Sequence, residues 1–62
     1  MPNILIQWYP GRTEQQKRDL AAVITEAMVE IGKTTADHVH IIFQDVAKSD
    51  WATAGKLASD TK

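Results

Sequence analysis

The chain has 62 residues and no cysteine, and its seven Lys and Arg residues nearly balance eight Asp and Glu residues, for a formal net charge of −1. This length allows at most one small domain, near the lower limit for independent folding. Without cysteine the chain has neither disulfides nor a thiolate-held metal, so subunit association is expected to complete its hydrophobic core. The basic and acidic residues are interspersed, which argues against nucleic acid as a partner. The sequence has no apolar run of about 18 residues and no signal-peptide pattern, so a soluble, cytoplasmic protein is expected and a membrane is not.

The first predicted element is a strand over Asn3–Tyr9, a short, apolar and partly β-branched segment. Pro2 precedes it and the turn pair Pro10–Gly11 follows it, as is typical of strand boundaries. Thr13 then offers a side-chain oxygen as a helix N-cap, and Gln16 stands three residues later as its partner in a capping box. A helix is therefore expected to begin directly after this turn.

The second predicted element is a helix over Glu14–Ile31, because apolar residues recur there at spacings of three and four. They form one stripe over about five turns, made of Leu20, Val23, Ile24, Ala27, Met28 and Ile31. Charged residues lie largely off this stripe, namely Glu14, Lys17, Arg18, Glu26 and Glu30. Gly32 follows directly, at the position where a left-handed C-cap is expected.

A second strand is predicted over Val39–Val46, after a polar turn at Lys33–His38. Two strands joined so tightly through a helix form a βαβ unit, with parallel strands and a right-handed crossover. The tail Lys48–Lys62 is less regular. It is expected to hold a short turn at Ser49–Trp51 and a hairpin-like or extended segment at Ala54–Leu57.

Both predicted strands carry apolar side chains on both faces. On one strand Ile4, Ile6 and Trp8 oppose Leu5 and Tyr9, and on the other Val39, Ile41 and Phe43 oppose Ile42. Parallel strands need cover on both faces, but one helix covers only one. Burial of a large apolar side chain contributes about 1.5–3 kcal/mol, so several left in water would be a serious loss. The predicted fold class is thus α/β: a β-α-β unit with parallel strands and a short C-terminal hairpin-like tail, completed by oligomerisation.

Pro2 is the first candidate for chemistry. Removal of Met1 would leave Pro2 as a secondary amine at the start of an apolar strand. Burial and nearby cations lower the pKa of an amine, and a base poised near neutral pH is effective in proton transfer. The competing interpretation is a stiff start to the chain without function.

Four further residues invite a chemical interpretation. Arg12 lies beside the helix N-terminus, where its planar guanidinium suits a carboxylate, although a solvated loop arginine is the simpler interpretation. His38 and His40 have a spacing that allows a shared metal, but three or four ligands are needed, and no metal is predicted. His40 alone is a candidate acid, base or anion donor. Trp51 is interpreted as a packing anchor or as the wall of a site.

Several segments in order resemble the 4-oxalocrotonate tautomerase family: Pro2, Pro10–Thr13, Glu14–Arg18, Ala47–Trp51 and Ala54–Ser59. The resemblance extends over essentially the whole chain without gaps, so residues 1–62 are expected to form one tautomerase-like domain. It implies a β-α-β fold whose subunits pair their sheets into dimers, three of which form a hexamer.

The resemblance also implies a mechanism without a cofactor. The amine of Pro2 removes a proton from a 2-oxo acid, or from the hydroxyl group of its enol or 2-hydroxydienoate, and returns it to another carbon. Arg12 matches an arginine that a neighbouring subunit contributes to bind a substrate carboxylate. Trp51 stands where the family has an aromatic residue that forms an apolar wall.

One position departs from the family's pattern. The best-known members have a second arginine on strand two, which polarises the 2-oxo group and binds a carboxylate, and this sequence has His40 there. A histidine offers no bidentate fork, so a dicarboxylate should bind less well than a monocarboxylate 2-oxo acid, including an aryl one.

The sequence thus predicts a keto–enol tautomerase, an isomerase, with Pro2 as general base, Arg12 as carboxylate binder, His40 as a weaker polar contact and Trp51 as the wall. One alternative is a hydratase or dehalogenase of unsaturated acids, which needs a protonated proline. The other is a catalytically silent subunit of an oligomer. The base role requires loss of Met1, because an acylated proline nitrogen has no basicity.

Overall fold

The computed structural model describes residues 2–60, in which a parallel β-α-β unit precedes a short hairpin. Its elements in chain order are β1 (Asn3–Trp8), α1 (Glu14–Glu30), β2 (His40–Asp45), β3 (Ala52–Thr53) and β4 (Lys56–Leu57). Within this range, single turns of 3-10 helix occur at Ala36–His38, Lys48–Asp50 and Ala58–Asp60. The predicted α/β fold class is confirmed.

Strands β1 and β2 pair in parallel over their full lengths, from Asn3 opposite His40 to Trp8 opposite Asp45. Each strand is shorter than predicted, since Tyr9 lies beyond β1, and Val39 and Val46 flank β2. The last backbone hydrogen bonds between the two segments run from the Val46 N–H to the Trp8 carbonyl oxygen at one end and from the His40 N–H to the Pro2 carbonyl oxygen at the other.

The N-terminus of α1 has the predicted capping box. The Thr13 hydroxyl accepts a hydrogen bond from the Gln16 backbone N–H at 3.1 Å, and the Thr13 N–H donates to the Gln16 side-chain oxygen at 2.9 Å. These two bonds satisfy donors that the first turn of a helix leaves free. They fix the point where the chain leaves the loop after β1.

The predicted left-handed C-cap at Gly32 is wrong by one residue. The N–H of Ile31 still bonds to the carbonyl oxygen of Ala27 at 2.8 Å, so the helical turn continues to Ile31, and Lys33 has the positive φ of 57°. Gly32 has a different role. A Cβ atom there would lie 2.6 Å from the carbonyl oxygen of Met28, so only glycine fits without a shift.

The sheet has one face toward α1, and its other face is left exposed by the described part of the chain. Side chains on the α1 side are half-buried, namely Ile4, Ile6, Trp8, Ile41 and Phe43. On the opposite face Leu5 and Ile42 are paired in register and remain 56% and 57% exposed. No side chain among residues 2–60 is fully buried in the single chain. The chain therefore leaves one sheet face open, as the apolar pattern predicted.

The predicted stripe on α1 faces the sheet only in part. Its sheet-facing members are half-buried, namely Leu20, Ile24 and Met28, and the others are exposed, namely Val23, Ala27 and Ile31. Lys17 was predicted off the stripe, but it is half-buried, with its Nζ 3.9 Å from Oδ2 of Asp45. The arc of apolar residues is wider than the line along which a helix contacts a sheet, so part of it stays outside.

The tail forms the hairpin that was one of its two predicted forms. Strands β3 and β4 pair antiparallel, and the two residues between them, Ala54 and Gly55, have positive φ values of 54° and 81°. Two left-handed residues give a turn that matches the twist of the flanking strands. Residues 61 and 62 of the predicted tail lie outside the described residues. Within residues 2–60, α1 is too short and too polar to cross a bilayer, and no other helix qualifies.

Candidate active site

The first group of candidate residues lies where β1 and β2 begin. The carbonyl oxygen of Pro2 accepts a hydrogen bond from the backbone N–H of His40 at 3.1 Å. Pro2 is half-buried and follows the alternation of the α1 side, whereas His40 is exposed and follows that of Ile42 on the open face. The backbones of Pro2 and His40 thus meet, while their side chains point to opposite faces.

Arg12 lies at the other end of β1, on the loop that leads into α1. Its guanidinium carbon is 4.8 Å from the centroid of the Trp8 ring, and its Nη1 donates to the carbonyl oxygen of Tyr9 at 3.2 Å. The side chain borders an open hollow of about 410 Å³, lined by Trp8, Arg12, Gln16, Asp19, Leu20 and Val23. This hollow is mostly apolar, with one cation at its rim.

Trp51 lies near the same end of the sheet, directly after the 3-10 turn at Lys48–Asp50. Its ring meets that of Tyr9 edge to face, with centroids 5.0 Å apart and planes at 65°. The Nζ atom of Lys48 lies 5.5 Å from the centroid of the Tyr9 ring. Trp51 helps to line a second hollow of about 250 Å³, together with Gln7, Val46, Asp50 and Ala52.

The two groups are far apart within one chain. Seven residue steps of extended chain separate Pro2 from Tyr9, and a strand rises about 3.3 Å per residue, so the distance is roughly 23 Å. A small substrate cannot reach across this length. One chain therefore brings Arg12 and Trp51 to one end of the sheet and Pro2 and His40 to the other.

The two histidines do not lie on a common strand. His38 closes the 3-10 turn at Ala36–His38, and His40 is the first residue of β2. Across residues 2–60 the structure has no group of three or more His, Cys, Asp or Glu side chains placed to hold a metal ion.

Trp8 and Tyr9 have contacts that the sequence did not predict, since both were interpreted only as apolar surface of β1. Trp8 lies under Arg12, and Tyr9 contacts Trp51. The available signal was the turn Pro10–Gly11. Gly11 has a φ of 128°, a backbone conformation that residues with a side chain rarely adopt. The backbone reverses direction at this turn, and Arg12 lies back over Trp8.

Comparison with known proteins identifies the family. The model of the tautomerase enzyme family matches residues 2–61. A probable tautomerase from Ralstonia nicotianae is 37% identical over 57 residues, covering 92% of this chain and 88% of that protein. The 2-hydroxymuconate tautomerase of Bacillus subtilis is 33% identical over 60 residues, which are 97% of each chain.

Solved structures agree with the sequence comparisons. YwhB, a homologue of 4-oxalocrotonate tautomerase, superposes with a TM-score of 0.91 at 31% identity, covering 98% of this chain and all of that one. A heterohexameric 4-oxalocrotonate tautomerase from Chloroflexus aurantiacus shares the fold, with a TM-score of 0.86 at 24% identity over the full length of both chains.

The chain belongs to the tautomerase family, and the predicted relation to 4-oxalocrotonate tautomerase is confirmed. It is accordingly an enzyme of the tautomerase type, an isomerase.

Proposed function

We propose that the protein is a cofactor-independent keto–enol tautomerase of 2-oxo acids or their enols, with Pro2 as general base after loss of Met1. Arg12 binds the substrate carboxylate, Trp51 forms an apolar wall, and His40 makes a weaker polar contact. Met1 itself lies outside the described residues.

The separation between the two ends of β1 carries this proposal. Pro2 lies roughly 23 Å from the aromatic pair that Tyr9 forms with Trp51. A site that uses both the proline and Arg12 must therefore combine residues from at least two subunits. The open face with Leu5 and Ile42 supports such an assembly, because both side chains are more than half exposed in the single chain.

We infer a homo-oligomer, organised as a hexamer of three dimers, in which residues 1–62 of each subunit form one domain. Packing of the open sheet faces against one another removes apolar surface that residues 2–60 of the same chain leave exposed. The same packing brings the proline end of one strand near the arginine end of another. A cytoplasmic location remains a prediction.

The chemistry needs one base and one anion-binding group. The neutral amine of Pro2 takes the proton from the hydroxyl group on C2 of the enol. The O–H electron pair becomes the carbonyl π bond, and the former C=C pair takes a proton from the Pro2 ammonium at carbon. The guanidinium of Arg12 holds the carboxylate throughout, and its charge stabilises the anion that forms between the two transfers.

The substrate is an enol of a 2-oxo acid that carries its carboxylate next to the reacting carbon. The name of the Bacillus subtilis relative places its substrate, 2-hydroxymuconate, in this class. Histidine at position 40 offers one donor toward a ligand where an arginine would offer a fork. We therefore expect better turnover with one carboxylate than with two, and an aryl group suits the wall of Trp51 and Tyr9.

The test is a comparison of phenylenolpyruvate with 2-hydroxymuconate, each followed by the ultraviolet absorbance of its enol. The protein is first weighed intact to establish that Pro2 is its first residue. Faster ketonisation than in buffer, greater for phenylenolpyruvate, is the expected result. Equal rates with and without protein for every enol would rule the proposal out in favour of a silent subunit.

A further inference from the structure

Arg12, the candidate carboxylate binder, contacts the indole ring of Trp8. The guanidinium carbon lies 4.8 Å from the indole centroid, well within the distance at which a cation is attracted to an aromatic face. A hydrogen bond from Nη1 to the Tyr9 carbonyl oxygen fixes one edge of the same group. The Arg12 guanidinium is therefore held by two contacts, although Arg12 lies on an exposed loop.

The indole is itself held from two sides. Its Nε1–H donates to Oδ1 of Asp45 at 3.0 Å, and its ring stacks on Phe43 with centroids 5.3 Å apart and planes 20° from parallel. Asp45 is the residue paired with Trp8 across the parallel ladder, so the two strands set this hydrogen bond. The other oxygen of Asp45 lies 3.9 Å from Lys17 Nζ.

We propose that Trp8 is a positioning residue for Arg12, oriented by Asp45, so that the guanidinium is already aligned when a carboxylate arrives. This inference rests on the proposed function, in which Arg12 binds that carboxylate. The guanidinium carbon lies over the face of the Trp8 indole, and the bond to Tyr9 uses one of the five guanidinium N–H donors. The remaining edge donors lie in the guanidinium plane, where a carboxylate binds in a bidentate manner.

Alignment before binding matters for a long side chain. A free arginine loses rotamer freedom when it captures a ligand, and this loss weakens binding. A guanidinium that already contacts an indole and a backbone carbonyl oxygen has lost part of that freedom in the unliganded protein. The expected gain appears in affinity for the carboxylate and leaves the proton transfers at Pro2 unaffected.

The experiment is a double-mutant cycle of Trp8→Leu and Arg12→Gln, read as the Kd for phenylpyruvate and for its methyl ester by titration calorimetry. Trp8→Leu should weaken binding of the acid by roughly two- to fivefold, the range expected for an exposed cation–π contact. It should have no effect on the ester or in the Arg12→Gln background. Trp8→Phe keeps an aromatic face and should restore part of the affinity.

Two further variants test the part assigned to Asp45. Asp45→Ala removes the acceptor of the indole N–H and should weaken binding of the acid in the same direction. Lys17→Gln removes the other neighbour of Asp45 without touching the indole, and its Kd should equal that of the unaltered protein. Elution volume and circular dichroism establish that each variant keeps its assembly and fold.

A merely structural role for Trp8 gives a different pattern. The positioning role would be overturned if Trp8→Leu weakened binding of the acid and the ester alike, or if it left the Kd for the acid unchanged. It would also be overturned if Trp8→Leu had the same effect in the Arg12→Gln background as in the unaltered protein. Failure of unaltered protein to bind phenylpyruvate would also overturn it. If the double-mutant cycle gave the expected Kd values but the protein did not catalyse ketonisation, the positioning role would stand. That result would count against the proposed function alone.

Discussion

The backbone N–H of His40 donates to the carbonyl oxygen of Pro2 at 3.1 Å, and this bond fixes the residue that precedes β1 against the first residue of β2. A proline amine in this position is attached to a sheet and not to a loose tail. Since Pro2 is half-buried even in the single chain, subunits packed nearby would shelter its nitrogen further. The proposed base is thus held by the same parallel pairing that builds the fold.

Pro2→Ala should lower kcat for ketonisation by about 10²–10⁴, the usual contribution of a positioned general base. Alanine still provides an amine, but a primary one with freer rotation about the N–Cα bond. Steady-state kinetics on protein of verified mass measure the effect. Asn3→Ala, one residue further along and exposed, serves as the control and should change kcat little. Unchanged turnover in Pro2→Ala would remove the proline from the mechanism.

The pH dependence of kcat/KM should distinguish a basic from an acidic proline. Only the neutral amine accepts a proton, so tautomerase activity should rise with pH through the ionisation of the free enzyme's amine and then level off. A hydratase or dehalogenase that uses the charged proline should show the opposite slope. Rates measured from about pH 5 to about pH 9 with one enol and one halogenated unsaturated acid decide between them.

Elements with local signals could be predicted from the sequence. The capping box at Thr13 depends on side chains three residues apart, and the parallel pairing of β1 and β2 follows from two short apolar segments around one helix. The orientation of α1 could not be predicted in the same way. Its apolar arc includes both Leu20 and Val23, and only the packed structure decides that Leu20 faces the sheet.

The candidate site was predictable as residue types and not as an arrangement. Family resemblance indicated Pro2, Arg12 and Trp51, yet residue spacing alone did not reveal that Arg12 lies on Trp8. That contact depends on the reversal at Gly11, and the orientation of the indole depends on Asp45, which lies 37 residues away in sequence.

Arg12→Gln should raise KM for phenylenolpyruvate by between about tenfold and about a hundredfold, because a charge-assisted hydrogen bond to a carboxylate contributes about 1.5–3 kcal/mol. Arg18→Gln is the matched control. Arg18 is also an exposed arginine near the start of α1, but its Nη2 pairs with Glu14 at 2.9 Å. Similar KM values for Arg12→Gln and the unaltered enzyme would assign the carboxylate to another residue.

His40→Arg should shift the substrate preference toward a dicarboxylate. The new guanidinium adds a bidentate fork on the open face of β2, so the ratio of kcat/KM for 2-hydroxymuconate to that for phenylenolpyruvate should rise by about tenfold or more. His38→Arg makes the same change in charge in the neighbouring 3-10 turn and should leave the ratio unchanged. An equal shift in both variants would point to a general electrostatic effect and away from a contact with His40.

Ile42→Glu should dissociate the assembly and abolish turnover together. Ile42 is 57% exposed in the single chain, beside Leu5 on the open sheet face, and the proposed packing would bury it. The change forfeits about 1.5–3 kcal/mol of apolar burial per subunit and places a charge beside the apolar side chain of Leu5. Gln15→Glu adds the same charge at an exposed helix position and should leave size and activity unchanged.

Light scattering during size-exclusion chromatography measures the mass of each variant, and the enol assay measures its activity. Pro2 and Arg12 lie at opposite ends of β1. A dissociated chain that keeps its secondary structure therefore lacks a complete site and should show no turnover. Full activity in a monomer would show that one chain suffices, and the proposed combination of residues from separate subunits would then be wrong.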